Sequence, residues 1–268
     1  DFLERLFTIA NNRQAIESAT VLQVSSGMWI EMRRNMITAS WFGKVCKRRQ
    51  NISCASLVKN ILYQQSLSNI SSIRHGQKHE YDILKELVEL KRITIEKCGL
   101  FINEEYPYMG ATPDGISSED NVEIKHPFAA RSMLIYEAVK SKKITFWKLN
   151  KNGEMLVNTS HDWFYQVQGQ LHLTKKDICV FVLWTELGMK IEKNLRDDEF
   201  RQTNMVEQLK RFYNFCMLPE FIDPRYNRCM PIRNPEYLEK CIIAKRSQVK
   251  LVLAKTKTCK KVLFRRNQ

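Results

Sequence analysis

The chain has 268 residues, of which 44% are hydrophobic and 27% are charged, so it is long enough to bury a substantial core. It has no run of about 18 apolar residues, and its first residues lack the basic-then-apolar order of a secretory signal, so we expect a soluble, intracellular protein. The net charge of +14 is concentrated in residues 241–268, which contain nine Lys or Arg and no Asp or Glu. Such a basic segment suits a nucleic-acid backbone, nuclear import or a solvated linker, and charge alone does not choose among these.

The first third of the chain is predicted to be helical. Residues 2–23 are periodic, and Ala55–Ser66 and His75–Lys91 carry apolar side chains at helical spacing. Between them, a helix is expected to begin at an N-cap formed by Thr38 or Ser40.

The remainder alternates between strand and helix patterns. Three consecutive strands are predicted, at Lys97–Ile102, Tyr108–Ala111 and Asn121–Lys125. After them we predict a helix over Arg131–Lys140, a hairpin over Ile144–Val157, a helix from Ser160 or Asp162 to about Leu173, a strand over Ile178–Trp184 and a helix over Asp197–Cys216. Because Ile178–Trp184 is the most apolar strand, it should be central. The order predicts an α/β fold, a small mixed sheet flanked by helices, within one domain over residues 1–240.

Two carboxylates and a lysine stand close together in the middle of the chain. Asp114 follows a proline in a turn-forming Pro-Asp-Gly tripeptide, and Glu123 lies nine positions later in an alternating strand with Lys125. Glu123 and Lys125 point to the same face of that strand, and a hairpin would bring Asp114 beside them. Two carboxylates for a divalent cation and one ammonium for a phosphate are the groups that a metal-dependent phosphodiesterase needs.

With these residues in place, the chain resembles the PD-(D/E)XK nuclease superfamily, and within it the group of phage lambda exonuclease, YqaJ-type viral recombinases and viral alkaline nucleases. The resemblance covers roughly residues 25–185. Four ordered motifs carry it: Trp29-x3-Arg33-x3-Ile37-Thr38-Ala39-Ser40, Gly76-x3-Glu80, Pro113-Asp114 with Glu123-x-Lys125, and Gln166-Val167-Gln168.

The resemblance implies roles for individual residues in catalysis. Asp114 and Glu123 would ligate the catalytic metal together with the backbone carbonyl of Ile124, and Glu80 would support that metal directly or through water. Oxygen ligands of this kind suit Mg²⁺, with Mn²⁺ as a substitute. Lys125 would lie next to the attacking water. Gln166 would orient this lysine or its water.

A second group of residues matches a pocket for a terminal 5′ phosphate in the resembled family: Trp29, Arg33, Ser40, Thr112 and Arg131. A planar guanidinium with hydroxyl donors suits a phosphate monoester. Other tryptophans, namely Trp147, Trp163 and Trp184, are interpreted as packing residues.

The sequence therefore predicts a Mg²⁺-dependent exonuclease that digests duplex DNA from a 5′-phosphorylated end and leaves 3′ single strands for recombination or repair. An endonuclease or an RNA-cleaving enzyme of the same fold is the nearest alternative, and a non-catalytic nucleic-acid-binding or annealing protein is another. The expected partners are double-stranded DNA with a free 5′ end, a single-strand annealing or binding protein, and further copies of the chain. No membrane partner is expected, and the basic segment is compatible with a nuclear location.

Overall fold

The computed structural model describes residues 2–63, 71–91 and 94–240. Within these ranges the chain forms two compact units. The first contains the residues up to Lys47 together with Ile61–Tyr213, and the second contains Arg48–Asn60 together with the described residues from Asn214 onward. The basic segment 241–268 and the end of the predicted Ala55–Ser66 helix lie outside the described residues. The single domain over residues 1–240 stays a prediction.

The helices follow one another along the chain as α1 (Phe2–Asn11), α2 (Arg13–Ala19), α3 (Gly27–Arg34), α4 (Ala39–Cys46), α5 (Ala55–Leu62), α6 (Ser71–Lys91), α7 (Ile135–Lys140), α8 (Asp162–Thr174), α9 (Asp198–Arg201), α10 (Glu207–Phe212) and α11 (Leu218–Ile222). Single 3-10 turns occur at Gln23–Ser25, Phe128–Ala130 and Tyr226–Arg228, and π-helical turns at Gln202–Val206 and Tyr213–Met217. None of the described helices is both long and apolar enough to span a bilayer.

The strands are β1 (Ile37–Thr38), β2 (Phe101–Ile102), β3 (Met109–Ala111), β4 (Gly115–Ile116), β5 (Asp120–Lys125), β6 (Trp147–Leu149), β7 (Met155–Val157), β8 (Ile178–Thr185) and β9 (Gly188–Leu195). They form a four-stranded mixed sheet in the order β4-β5-β8-β9, a three-stranded sheet in the order β1-β3-β2, and the β6-β7 hairpin. In the four-stranded sheet β5 and β8 are parallel, and both outer strands run antiparallel to their neighbours.

The four-stranded sheet buries both of its faces. On one face Val122 and Ile124 of β5 pack with Val180 and Val182 of β8 against α6. On the other face Phe181 and its neighbours along β8 pack against α7 and α8. Because β8 is covered on both sides, it needs the nearly continuous apolar sequence that distinguishes it.

Helices α4 and α8 pack at very short range in the first unit. A Cβ atom built on Gly43 would come within 2.6 Å of the backbone Cα of Asp162, and one built on Gly169 would collide with the ring of Phe42. Glycine is therefore required at both positions for close helix contact. The contact holds the start of α4 next to the middle of α8.

Most of the predicted elements are present, and β8 is central as expected. The predicted fold class, a small mixed sheet flanked by helices, is confirmed. Three predictions of local structure were wrong. Arg131–Leu134 is a turn rather than helix, because Leu134 is extended and α7 begins only after it. Of Lys97–Ile102 only the last two residues are strand. The helix predicted over Asp197–Cys216 is interrupted by π-helical turns.

The second unit is built around α11 and the segment that follows it. Asp223 forms ion pairs with both Arg228 and Arg233, which ties the 3-10 turn at Tyr226–Arg228 to the chain that leaves it. These pairs are exposed and contribute little to stability.

Candidate active site

Glu123 lies at the centre of the candidate site, on strand β5. The strand alternates, so Val122 and Ile124 enter the core beneath α6 while Glu123 faces α8. The Glu123 side chain is almost fully enclosed, with 1% of its surface exposed. A buried carboxylate must be hydrogen-bonded or paired, because an unpaired buried charge is costly.

Two glutamines of α8 provide these hydrogen bonds. Gln166 donates from Nε2 to Oε1 of Glu123, and Gln170 donates from Nε2 to Oε2, both at 2.5 Å. Residues four apart share one face of a helix, so both amides reach the same carboxylate. The pair fixes the orientation of Glu123. Gln166 was expected to orient Lys125 or its water, whereas in the structure its hydrogen bond is to Glu123.

Asp114 and Lys125 lie next to Glu123. The turn after β3 brings Asp114 to β5, where its Oδ2 accepts a hydrogen bond from the backbone N–H of Ile124 at 2.7 Å. Lys125 donates from Nζ to Oε1 of Glu123 and also forms an ion pair with it. The hairpin between β4 and β5 thus assembles the three predicted groups, as their spacing indicates.

Electrostatics in this cluster are dominated by crowded negative charge. Burial raises the pKa of Asp114 well above its ordinary value, and the negative charges of Glu123 and Glu80 raise it further. Burial and the charge of Glu123 also raise the pKa of Glu80. For Lys125, burial acts to lower the pKa, but the carboxylates of Glu123 and Asp114 outweigh it and raise the pKa overall. The cluster therefore favours bound positive charge.

The donor set suits a hard divalent cation. Asp114, Glu123 and the carbonyl of Ile124 offer only oxygen atoms, and the mutual repulsion of the carboxylates is the interaction that a cation would offset. No three His, Cys, Asp or Glu side chains in the described ranges converge into a complete metal cage. Mg²⁺ does not require one, since it is usually held by one or two carboxylates, several waters and the phosphates of a substrate.

Glu80 reaches the site from α6. A helix over His75–Lys91, as predicted, would have Glu80 near its start. Because α6 begins at Ser71, Glu80 instead lies in the third turn, and the helix dipole does not explain its position. With the catalytic candidates it borders a cavity of about 220 Å³, which we call the reaction pocket and which is lined by Glu80, Asp114, Ile124, Lys125, His126, Pro127 and Trp163.

A second cavity of about 190 Å³ adjoins the same residues. We call it the phosphate pocket; it is lined by Gln23, Trp29, Arg33, Thr38, Ala39, Ser40, Thr112, Asp114, Glu123, Lys125, Gln166 and Gln170. Four of the five residues predicted to bind a 5′ phosphate are therefore brought together with the catalytic candidates. Asp114 and Lys125 line both cavities, so the two cavities meet at these side chains.

Arg33 and Lys125 are the two basic residues that line the phosphate pocket. The Arg33 guanidinium lies 3.9 Å from the ring centroid of Trp29, and the indole N–H of Trp29 donates to the hydroxyl of Thr112 at 3.1 Å. Burial lowers the pKa of Arg33 to about 10, which leaves it a cation at neutral pH. No acidic side chain within the described ranges pairs with Arg33. A half-buried guanidinium of this kind has its planar donors available for an anion.

The fifth predicted phosphate ligand, Arg131, is placed elsewhere. Its exposed guanidinium lies 4.0 Å from the ring centroid of Phe128 and donates to the carbonyl of that residue at 2.9 Å. It lines neither cavity, and its role in phosphate binding stays a prediction.

Sequence reasoning missed several residues of these cavities. Gln170 holds Glu123, Thr38 shares a 3.1 Å hydrogen bond with Ser40, and Gln23 and Trp163 line the walls. Gln170 had a detectable signal, because helical periodicity places it on the same face as Gln166. The interpretation of Trp147 as a packing residue fits its 1% exposure, whereas Trp163 borders the reaction pocket.

Comparison with protein families decides the assignment. The model of the YqaJ-like viral recombinase domain matches residues 28–177, which is more than half of the chain. The matched range includes β5, α8 and most of the residues that line the two cavities. The chain belongs to the YqaJ-like viral recombinase domain family. The resemblance drawn from its motifs is thereby confirmed.

Solved structures of an alkaline exonuclease have a fold similar to that of this YqaJ-like domain. An alkaline exonuclease from Laribacter hongkongensis, LHK-Exo, superposes with a TM-score of 0.53 at 17% identity, covering 83% of this chain and 98% of that one. Its complex with dAMP superposes with the same TM-score and coverage at 18% identity. No curated protein sequence matches the chain. The structural likeness confirms the PD-(D/E)XK-type fold of the YqaJ-like domain.

Proposed function

We propose that the protein is a Mg²⁺-dependent exonuclease that hydrolyses duplex DNA in the 5′-to-3′ direction from a 5′-phosphorylated end. The observation that carries this proposal is the meeting of two cavities at Asp114 and Lys125. One cavity contains the half-buried guanidinium of Arg33, which has no acidic partner in the described part of the chain, and the other contains the carboxylate and lysine cluster. A terminal phosphate held by Arg33 would place the next phosphodiester bond at Lys125.

Each group has a task in this proposal. A bound divalent cation supplies a polarised phosphate and a more acidic attacking water. Lys125 neutralises the negative charge that develops on the phosphate during attack. Gln166 and Gln170 keep Glu123 in one orientation, and Arg33 with Ser40 holds the terminal phosphate in place.

The relatives support the same chemistry. The family is described as a recombinase domain, and the structure of similar fold is an alkaline exonuclease that binds dAMP, a deoxynucleoside monophosphate. Exonuclease digestion from a 5′ end would release such monophosphates and leave 3′ single strands for recombination or repair. A single-strand annealing partner, assembly into a homo-oligomer and a nuclear location also stay predictions.

The test is digestion of end-labelled linear duplex with Mg²⁺ or with EDTA, read for polarity. We expect Mg²⁺-dependent release of mononucleotides from the 5′ end, faster from a 5′ phosphate than from a 5′ hydroxyl. Arg33→Met should remove most of this preference, because the bidentate contact to the monoester is lost. Arg34→Met, on the next position of α3, is the matched control.

Other outcomes would favour the alternatives. Efficient cutting of closed circles would favour an endonuclease, and preference for RNA substrates would favour an RNA-cleaving enzyme. DNA binding without turnover would favour a non-catalytic binding protein.

A further inference from the structure

The reaction pocket has a wall that the proposed chemistry does not use. Beyond the carboxylates, Ile124 and Lys125, its lining consists of His126, Pro127 and Trp163. A phosphodiester joins two nucleosides, so a nucleoside is attached on each side of the phosphate that is hydrolysed. Because this pocket contains Lys125, a nucleoside next to the scissile phosphate would lie close to these residues.

The Trp163 side chain lies at the edge of the reaction pocket and is held in place by its neighbours. Trp163 lies in the first turn of α8, where its backbone N–H donates to Nδ1 of His161 at 3.1 Å. Its ring lies against His161, Phe146 and Phe181, at centroid distances of 4.8, 6.0 and 5.9 Å. The indole is half-buried overall, and part of it borders the cavity.

The indole N–H distinguishes Trp163 from a tryptophan of the core. Trp147 is 1% exposed, and its N–H donates to Glu192 at 3.1 Å. The N–H of Trp163 has no acceptor among the side chains and carbonyls of the described ranges. Tryptophans that only pack usually find such a partner when they are buried. A half-buried indole at the edge of a cavity is suited to a ligand with a planar face.

We propose that Trp163, with Pro127, forms a subsite for the nucleoside on the 3′ side of the scissile phosphate. This inference rests on the proposed function. The phosphate pocket takes the 5′ side, because it contains Arg33 and Ser40, and the two cavities meet at Asp114 and Lys125. The strand leaving the reaction centre away from Arg33 therefore enters the cavity bordered by Trp163. Since every base has a π-face, stacking here would be independent of sequence.

The experiment compares 5′-phosphorylated duplexes that are intact or abasic at the second nucleotide of the digested strand. We expect the wild-type protein to cleave the first bond of the abasic duplex with a KM about tenfold higher, as the loss of one aromatic–base contact predicts. Trp163→Leu should raise KM on the intact duplex by a similar factor and show no further loss on the abasic duplex. Trp163→Phe, which keeps an aromatic face, should remain close to wild type.

Two controls isolate the contact. An abasic residue on the opposite strand, at the same base pair, weakens the duplex end equally but keeps the digested base, so KM should stay near that of the intact duplex. Trp41→Leu removes a half-buried tryptophan that lines neither cavity and should behave as wild type.

If the wild-type protein cleaves both duplexes equally, or if the losses from Trp163→Leu and the abasic site multiply, the subsite is refuted while the nuclease proposal stands. If no Mg²⁺-dependent cleavage occurs on any duplex, the proposed function fails and the subsite fails with it.

Discussion

Replacing Gln170 with leucine tests whether the buried hydrogen bonds of Glu123 serve catalysis or only stability. The substitution keeps the side chain's approximate volume but removes the donor to Oε2 of Glu123. In a metal site, loss of a residue that holds a ligand lowers activity by about 10- to 100-fold. We expect kcat for the first cleavage to fall within that range.

The stability effect of the same change should be modest. Losing a hydrogen bond to a charged group costs about 1.5–3 kcal/mol. However, Oε1 of Gln170 is buried and has no hydrogen-bond partner in the described part of the chain. Removing that oxygen recovers about 1–3 kcal/mol of desolvation, which offsets part of the loss.

Gln168→Leu is the matched control on the same helix. Gln168 is fully buried, donates to the carbonyl of Leu195 and accepts from the N–H of Asp197, both at 2.8 Å, and lines neither cavity. We expect it to lose about 2–3 kcal/mol of unfolding free energy while kcat is retained. Single-turnover cleavage at saturating DNA and urea denaturation measure the two effects. The reasoning is refuted if Gln170→Leu keeps kcat within twofold of wild type, or if Gln168→Leu loses as much.

Three further outcomes follow from the structure. Lys125→Met should lower the cleavage rate by at least about 100-fold, because the ammonium beside the phosphate is lost, while the far-UV circular dichroism spectrum is kept. Burial lowers the pKa of His161 below 6.5, and its neutral ring caps α8 by accepting from Trp163. This stabilisation is present above pH 6.5 and is lost as the pH falls through the lowered folded-state pKa, so His161→Asn, which caps without titrating, should flatten the acid side of a melting-temperature profile. Gly169→Ala should destabilise the protein by about 1–3 kcal/mol in urea denaturation through its collision with Phe42, whereas Gly27→Ala, which meets no atom, should not.

The sheet and the catalytic strand could be predicted because their signals are local. An uninterrupted apolar run marks β8 as covered on both faces, and alternation in β5 separates Glu123 from the core residue Ile124. The turn at Asp114 was predicted from its Pro-Asp-Gly sequence. Strand β9 was not predicted, since three of its eight residues are charged and it becomes a strand only by pairing with β8.

The environment of the site was harder to predict than its central residues. Gln166 and Gln168 were singled out as neighbours in a motif, but the helix turns Gln168 away and brings Gln170 to Glu123. The placement of Arg131 depends on a turn whose geometry is set by tertiary contacts, including the hydrogen bond between Ser132 and Glu186. Such contacts join distant parts of the chain and leave no periodic signal.

The glycine-mediated contact between α4 and α8 has a consequence for the size of the product. Ser40 at the start of α4 and Gln166 on α8 line the same cavity, and the helices that carry them are in close contact at Gly43 and Gly169. In the proposed function, this contact would fix the distance between the terminal phosphate and the bond to be cut. We expect this fixed distance to give products of one nucleotide at every step, whatever the base sequence. When a methyl group is forced between the two helices, the product length should become variable before cleavage is lost.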